Sequence, residues 1–363
     1  MVQLFLAVTL ITVINTPKGP GSPSQDSNLD TIATFIQTPL VKAREQEQMA
    51  KHGGLVRLAL SSDGHYAVTG SENGFVVVSR LSDKTKLRST RIDEFSDAFF
   101  AGVCFDMHDV SFVYYVTLKG LYRWNWRKDE LPDRVFGENS REFDQFTTRI
   151  VTQIVCSRDG TKLACIDMYQ RVFLISLSAG KTMANPTFSM IQDTQTRGIL
   201  LPYKSGSVAF SPNSSFLAFT TNTFVSVLNL KQNRVVSTLK GHEDVVSSVV
   251  FLSDKEILTG TWDGCCRTWD TSNGKSRLVP ITSKMKEFAL VSVSHDGKRF
   301  VCCVGEGHIE AFEFPSLNKI ARFNGPTSGF TGVFFLNDPN LFVTSGEDER
   351  LQFWDIEKSK GNR

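Results

Sequence analysis

The sequence predicts an all-β chain of similar units closed into a ring, and three observations carry that prediction. A polar turn recurs at a nearly constant interval, the segments between turns are short, apolar and β-branched, and the repeating region holds no long run of helical periodicity.

The turn that follows the first apolar run of each unit reads Ser62-Asp63-Gly64, His108-Asp109, Arg158-Asp159-Gly160, Ser211-Pro212-Asn213, Ser253-Asp254, His295-Asp296-Gly297 and Asn337-Asp338-Pro339, which makes seven. The last four stand about 42 residues apart and the earlier gaps are longer, the period of a four-stranded propeller blade. The runs between them, such as Val245 to Phe251, Glu256 to Thr261 and Cys265 to Trp269, are strand-like and bounded by Gly, Asp and Asn. A solenoid of helix pairs would need runs of ten or more residues at a 3.6-residue period. Units therefore start near residues 53, 99, 148, 204, 243, 285 and 326, and residues 31–363 are expected to form a single seven-bladed β-propeller.

With 363 residues and a formal charge of +2, the chain has ample Val, Leu, Ile and Phe for one large core. The near balance of charge argues against a chain built mainly to coat nucleic acid or an anionic membrane. The seven cysteines, Cys104, Cys156, Cys165, Cys265, Cys266, Cys302 and Cys303, lie in apolar runs and read as buried thiols of a reducing compartment. Neither Cys-Cys pair has zinc-ligand spacing and the histidines are scattered, so no metal is expected.

The apolar stretch Val2 to Ile14 is too short to span a bilayer. It reads as a signal-peptide core, a β-strand or an artefact of the assigned start; the missing Lys or Arg ahead of it and the absence of a clear small-x-small cleavage site argue against the first. Pro17 to Asp30 is a Pro, Gly and Ser-rich linker, so residues 1–30 are set apart from the propeller.

In the fifth unit the chain reads Gly241-His242, then Leu258-Thr259-Gly260-Thr261-Trp262-Asp263-Gly264, then Arg267-Thr268-Trp269-Asp270. This resembles a complete repeat of the WD-repeat (Trp-Asp) β-propeller family. The resemblance implies a hydrogen-bonded tetrad of His242, Thr259, Asp263 and Trp269, with Asp263 accepting the His242 proton, His242 reaching Thr259 and Thr259 reaching the Trp269 ring N–H. The seventh unit carries a partial copy, Thr344, Asp348 and Trp354, with Asn324-Gly325-Pro326 where Gly-His would fall. Elsewhere Asn73 and Ser79, Asn222 and Leu228, and Glu306 and Phe312 stand where Asp and Trp would be. The seventh unit ends after its third strand, near Glu357, and Thr31 to Gln37 is expected to supply the outer strand that closes the ring, with Val2 to Ile14 as the rival.

The residue before the turn aspartate points out of the top face in this family, which makes Trp262 a candidate anchor for a protein partner; packing against a neighbouring loop is the equal alternative. The matching positions are Glu72, Leu118, Met168, Thr221, Gly305 and Glu347. Tyr114, Tyr115, Tyr122, Trp124 and Trp126 could stack on bases, but alternation within two strands explains them as core, so direct nucleic-acid binding is not expected. Residues 128–147 and 180–203 read as long connections.

No Gly-x-Ser-x-Gly elbow, Walker loop, His-Glu-x-x-His or paired carboxylates at a strand end are present, so no catalysis and no cofactor are expected. The function expected is a non-catalytic scaffold for protein–protein interaction in the cytoplasm or nucleus, without a membrane partner. Two alternatives stand beside it. One is a subunit of a histone or nucleic-acid complex that recognises a basic peptide through Glu72 and Glu347. The other is a ubiquitin-ligase substrate receptor, weakened because Ser272 occupies the position where such receptors carry Arg.

Overall fold

The computed structural model describes residues 57–70, 75–91, 100–117, 120–135, 151–167, 170–177, 188–191, 206–283, 287–305, 307–325, 329–346 and 351–360. Seven antiparallel sheets follow one another along the chain, each a simple meander in strand order. Their first strands are Arg57–Leu60, Phe100–Phe105, Val151–Cys156, Val208–Phe210, Val246–Ser253, Ala289–Val293 and Phe330–Phe335, a few residues inside the unit starts read from the sequence. Six sheets have four strands; blade 7 has three among the described residues. Thr31 to Gln37, Val2 to Ile14 and the linker all lie outside those residues.

Each pair of adjacent blades buries its own apolar cluster, and the series is closed. Val68, Val76 and Val78 of blade 1 meet Val103, Tyr115 and Trp124 of blade 2, and the pattern continues to Leu58 and Ala67 of blade 1 against Val343 and Leu351 of blade 7. The second strands are therefore covered on both faces. Lys162–Asp167 and Arg299–Val304 are buried from their second residue onward, which is why these strands read as continuous apolar runs instead of alternating ones. The pair Cys302 and Cys303 follows from this: the first faces blade 5 and the second faces blade 7. Burial pushes the thiols of Cys303 and Cys104 well above the ordinary cysteine range and that of Cys156 up to about 12.

The recurring turn has one local cause. In blades 1, 3, 4 and 6 a serine directly follows the first strand and donates to the Asp or Asn two residues on: Ser61 to Asp63, Ser157 to Asp159, Ser211 to Asn213 and Ser294 to Asp296, at 2.6 to 2.8 Å. The same hydroxyl accepts the N–H that opens the next strand, from Tyr66, Lys162, Phe216 and Arg299. These side chains replace backbone partners in a tight reversal. Gly64, Gly160 and Gly297 then adopt φ of +67°, +60° and +70°, a conformation glycine enters without strain.

The first strands line a central channel of 430 Å³. Each is a sheet edge, and an edge leaves N–H groups without ladder partners. Four blade junctions answer this in one way. Gln153 accepts from the Val208 N–H, Ser207 from Val249, Ser248 from Val291 and Ser292 from Phe335, at 2.8 to 3.3 Å. A side chain of one inner strand thus satisfies the backbone of the next.

Two connections proved to contain strands. Asp133–Arg134 lies within 128–147 and forms the outer strand of blade 2, and Phe188–Ile191 lies within 180–203 and forms that of blade 3. A two-residue strand has no readable period. The chain's third strand in blade 7, Leu351–Asp355, runs into a short helix α1 (Ile356–Lys360), whose first N–H groups, of Glu357 and Lys358, are capped by Asp355 at 3.0 and 3.2 Å.

Candidate functional site

In blade 5 the loop before the inner strand delivers His242, the second strand Glu256–Thr261 delivers Thr259, and the third strand Cys266–Asp270 delivers Trp269. The three meet in the core. His242 Nε2 lies 2.6 Å from Thr259 Oγ1, and Trp269 Nε1 donates to the same oxygen at 2.8 Å. The indole can only donate, so Thr259 has one proton left for the imidazole or for the Arg267 carbonyl 3.2 Å away. Burial, and then the charge of Arg267, hold His242 down to about 4, so the ring is neutral near pH 7.

Asp263 departs from the expected arrangement. Among the described residues its carboxylate accepts from the Thr261 hydroxyl and, at 3.1 Å, from the Cys265 N–H, and not from His242. The tight 261–265 turn supplies nearer donors, as an Asx turn does. Asp263 reaches His242 only as a charge that favours the protonated ring.

Blade 7 repeats the indole contact, with Trp354 Nε1 donating to Thr344 Oγ1 at 3.0 Å; Asp348 lies outside the described residues. Where blades 1, 4 and 6 lack the tryptophan, Ser79, Leu228 and Phe312 are buried in its place.

Blade 6 holds a network that sequence reasoning missed. Glu310, on the third strand His308–Glu313, is fully buried. It accepts from His308 Nε2 at 3.1 Å, Lys319 Nζ at 3.2 Å, the Thr282 N–H at 3.2 Å and the Thr282 hydroxyl. Burial pushes its carboxyl up, but the bonds from His308, Thr282 and Lys319 outweigh that and bring it down to about 2. Thr282 belongs to the connection from blade 5 to blade 6, so Glu310 pins that connection much as Thr259 pins the His242 loop. The signal was the lone Glu in an otherwise apolar Gly-His-Ile-Glu-Ala-Phe run.

Above these two networks, Trp262 is half-buried, with its ring 5.7 Å from that of Phe288, on the same connection as Thr282. Its backbone N–H donates to the Val245 carbonyl at 2.9 Å. Asp263 and Glu287 flank the pair in sequence, and Glu243 and Asp244 lie on the His242 loop that leads to Val245. Thr221 is buried at 2 % exposure and offers no surface, because it closes a two-residue turn to Phe224 with its side chain turned into the blade. Glu72, Leu118, Met168 and Glu347 lie outside the described residues.

The aromatic set of blade 2 is core. Tyr114, Tyr115, Tyr122, Trp124 and Trp126 are all buried, the first facing blade 3 and the others blade 1. Among the described residues no group of three His, Cys, Asp or Glu is placed to hold a metal ion, and no helix is long and apolar enough to cross a membrane.

Meander sheets packed face to face in a closed ring of seven, with a threonine–tryptophan tie recurring in two of them, define a repeat propeller. The family model described as WD domain, G-beta repeat matches residues 233–270 and 317–355, which span the first three strands of blades 5 and 7 and the outer strand that precedes each. The chain is a seven-bladed β-propeller in which two segments match the WD repeat. Drosophila melanogaster nucleoporin Nup37 is 22% identical over 42% of this chain and 51% of its own length. Arabidopsis thaliana THO complex subunit 6 is 31% identical over 35% of each chain. The guanine nucleotide-binding protein subunit beta of Dictyostelium discoideum is 30% identical over 28% of this chain and 31% of its own. The chain thus matches about half or less of the length of these relatives. A solved β-propeller domain, Cps50 (Swd1) of Myceliophteria thermophila, superposes with a TM-score of 0.63 over 82% of this chain and 96% of that one, at 12% identity, a likeness of fold alone.

Proposed function

We propose that this propeller is a non-catalytic scaffold that gathers protein partners in a multi-subunit complex of the cytoplasm or nucleus, without cofactor, membrane or direct nucleic-acid contact. The supporting observation is the Trp262–Phe288 pair, an aromatic platform whose two supporting segments are held from below by the His242–Thr259–Trp269 and Glu310 networks. A rigid aromatic surface with little side-chain entropy to lose is a good anchor for a partner.

A second reading is favoured by the carboxylates beside it. Glu243, Asp244, Asp263 and Glu287 suit a basic peptide, which agrees with a subunit of a histone or nucleic-acid complex. The ubiquitin-ligase alternative has less support, since Ser272 serves the turn after blade 5's third strand by hydrogen-bonding Asp270.

Trp262→Ala in the full chain tests both readings. Affinity capture with mass spectrometry is expected to lose a defined set of partners at an unchanged melting temperature. Retention of every partner would overturn the platform, and a lost set enriched in basic segments would select the second reading.

A further inference from the structure

The turns that join first to second strands lie at the end of the ring away from Trp262, and two of them touch across it. Arg158 leaves the blade 3 turn directly after Cys156 and Ser157, and His295 leaves the blade 6 turn after Val293 and Ser294. Blades 4 and 5 separate them on one side and blades 7, 1 and 2 on the other, so a contact between them must cross the channel axis. Arg158 Nη2 lies 2.7 Å from His295 Nδ1 and 3.2 Å from Nε2.

The chemistry of this contact is unusual for the chain. Arg80, Arg88, Arg123 and Arg171 each meet an aspartate. Arg158 meets no carboxylate among the described residues; its partner is the imidazole ring of His295, with one guanidinium nitrogen close to both ring nitrogens. The neighbouring carboxylates are turned to their own backbones. Asp159 takes the Ser157 and Thr161 hydroxyls and the Thr161 N–H, and Asp296 takes the Ser294 hydroxyl and the Lys298 N–H. Both Arg158 and His295 are exposed, so a ligand can reach them.

We propose that Arg158 and His295 form an oxyanion-binding site over this mouth of the channel, which takes the carboxylate or phosphate group of a ligand between the guanidinium and the imidazole. An oxyanion offers the guanidinium fork two parallel charge-assisted bonds, which the imidazole ring cannot. The imidazole, released from Arg158, presents an N–H to the second oxygen. This site lies at the opposite end of the ring from the Trp262 platform and stands or falls independently of it.

The test is a titration of the full-length chain with inorganic phosphate and, separately, with acetate, against chloride at matched ionic strength. Long-range proton–nitrogen spectra of the histidine rings read it, with the His295 signal assigned by its loss in His295→Ala. The expected result is a saturable shift of the His295 signal with at least one of the two anions, weakened about tenfold or more in Arg158→Ala, a change of about 1.4 kcal/mol. Saturation by phosphate alone assigns a phosphoryl group, and saturation by acetate a carboxylate. Arg158→Lys keeps the charge and loses the fork, so it should fall between wild type and alanine and covers the case in which the alanine variant folds poorly. An unsaturable shift, or the same midpoint in wild type and Arg158→Ala, would overturn the site.

Discussion

Blades 5 and 6 stand side by side and solve one problem with different chemistry. Each must fasten the connection that enters it to its own interior. Blade 5 uses a neutral set, with a threonine hydroxyl between a buried imidazole and an indole. Blade 6 uses a buried carboxylate held by four donors from Thr282, His308 and Lys319. Conserving the repeat motif is therefore unnecessary for conserving the fastening. What matters is that every buried polar atom finds a partner, since an orphaned one costs about 1–3 kcal/mol.

The comparison can be broken most forcefully at Trp269. Trp269→Ala empties a core volume and leaves Thr259 short of a donor, and it should cost about 3–5 kcal/mol in chemical denaturation. Glu310→Ala should cost less, about 2–3 kcal/mol, because Lys319 is one-third exposed and regains water when its partner is lost.

Acid distinguishes the two networks. His242 titrates near 4 in the folded chain against an ordinary 6.5, so the unfolded chain takes its proton first as pH falls. Its contribution is complete above pH 6.5 and is lost between there and about 4. Glu310 titrates near 2 against an ordinary 4.5, so its contribution is complete above 4.5 and is lost between there and about 2. Denaturation midpoints measured from pH 7 to 3 should therefore fall in two stages. His242→Gln should flatten the upper stage by on the order of 2 kcal/mol, and Glu310→Gln the lower one. A Glu310→Gln variant that altered only the region above pH 5 would contradict the assignment.

The smallest effect belongs to blade 1. Ser79 is buried where blade 5 has its tryptophan, and its hydroxyl has no hydrogen-bond partner among the described residues. Ser79→Ala should leave the melting temperature unchanged or raise it, within about 1 kcal/mol. A loss comparable to that of Trp269→Ala would show that blade 1 carries a tie of its own.

Much of the fold was legible because its causes are local. The Ser-x-Asp turns close on themselves within five residues, so their spacing revealed the repeat, and second strands buried on both faces announced themselves as unbroken apolar runs. The three-membered part of the blade 5 tie was readable for a different reason, the resemblance of its residues to a known repeat. Asp263 was misplaced because a carboxylate chooses the nearest donors, and motif spacing does not rank Thr261 and Cys265 against His242. Thr221 was misplaced because alignment gives a position in a turn and not the face its side chain takes.

The sequence by itself determined the class of fold and the rhythm of the blades, since turn chemistry and hydrophobic pattern act over a few neighbours. Only the tertiary structure decided which side chains meet across blades: Gln153 and the serines that satisfy successive inner strands, the Thr282–Glu310 fastening, and Arg158 against His295. Those partners are 28 to 137 residues apart. Closing the ring brings them together, and no local preference in the chain encodes that distance.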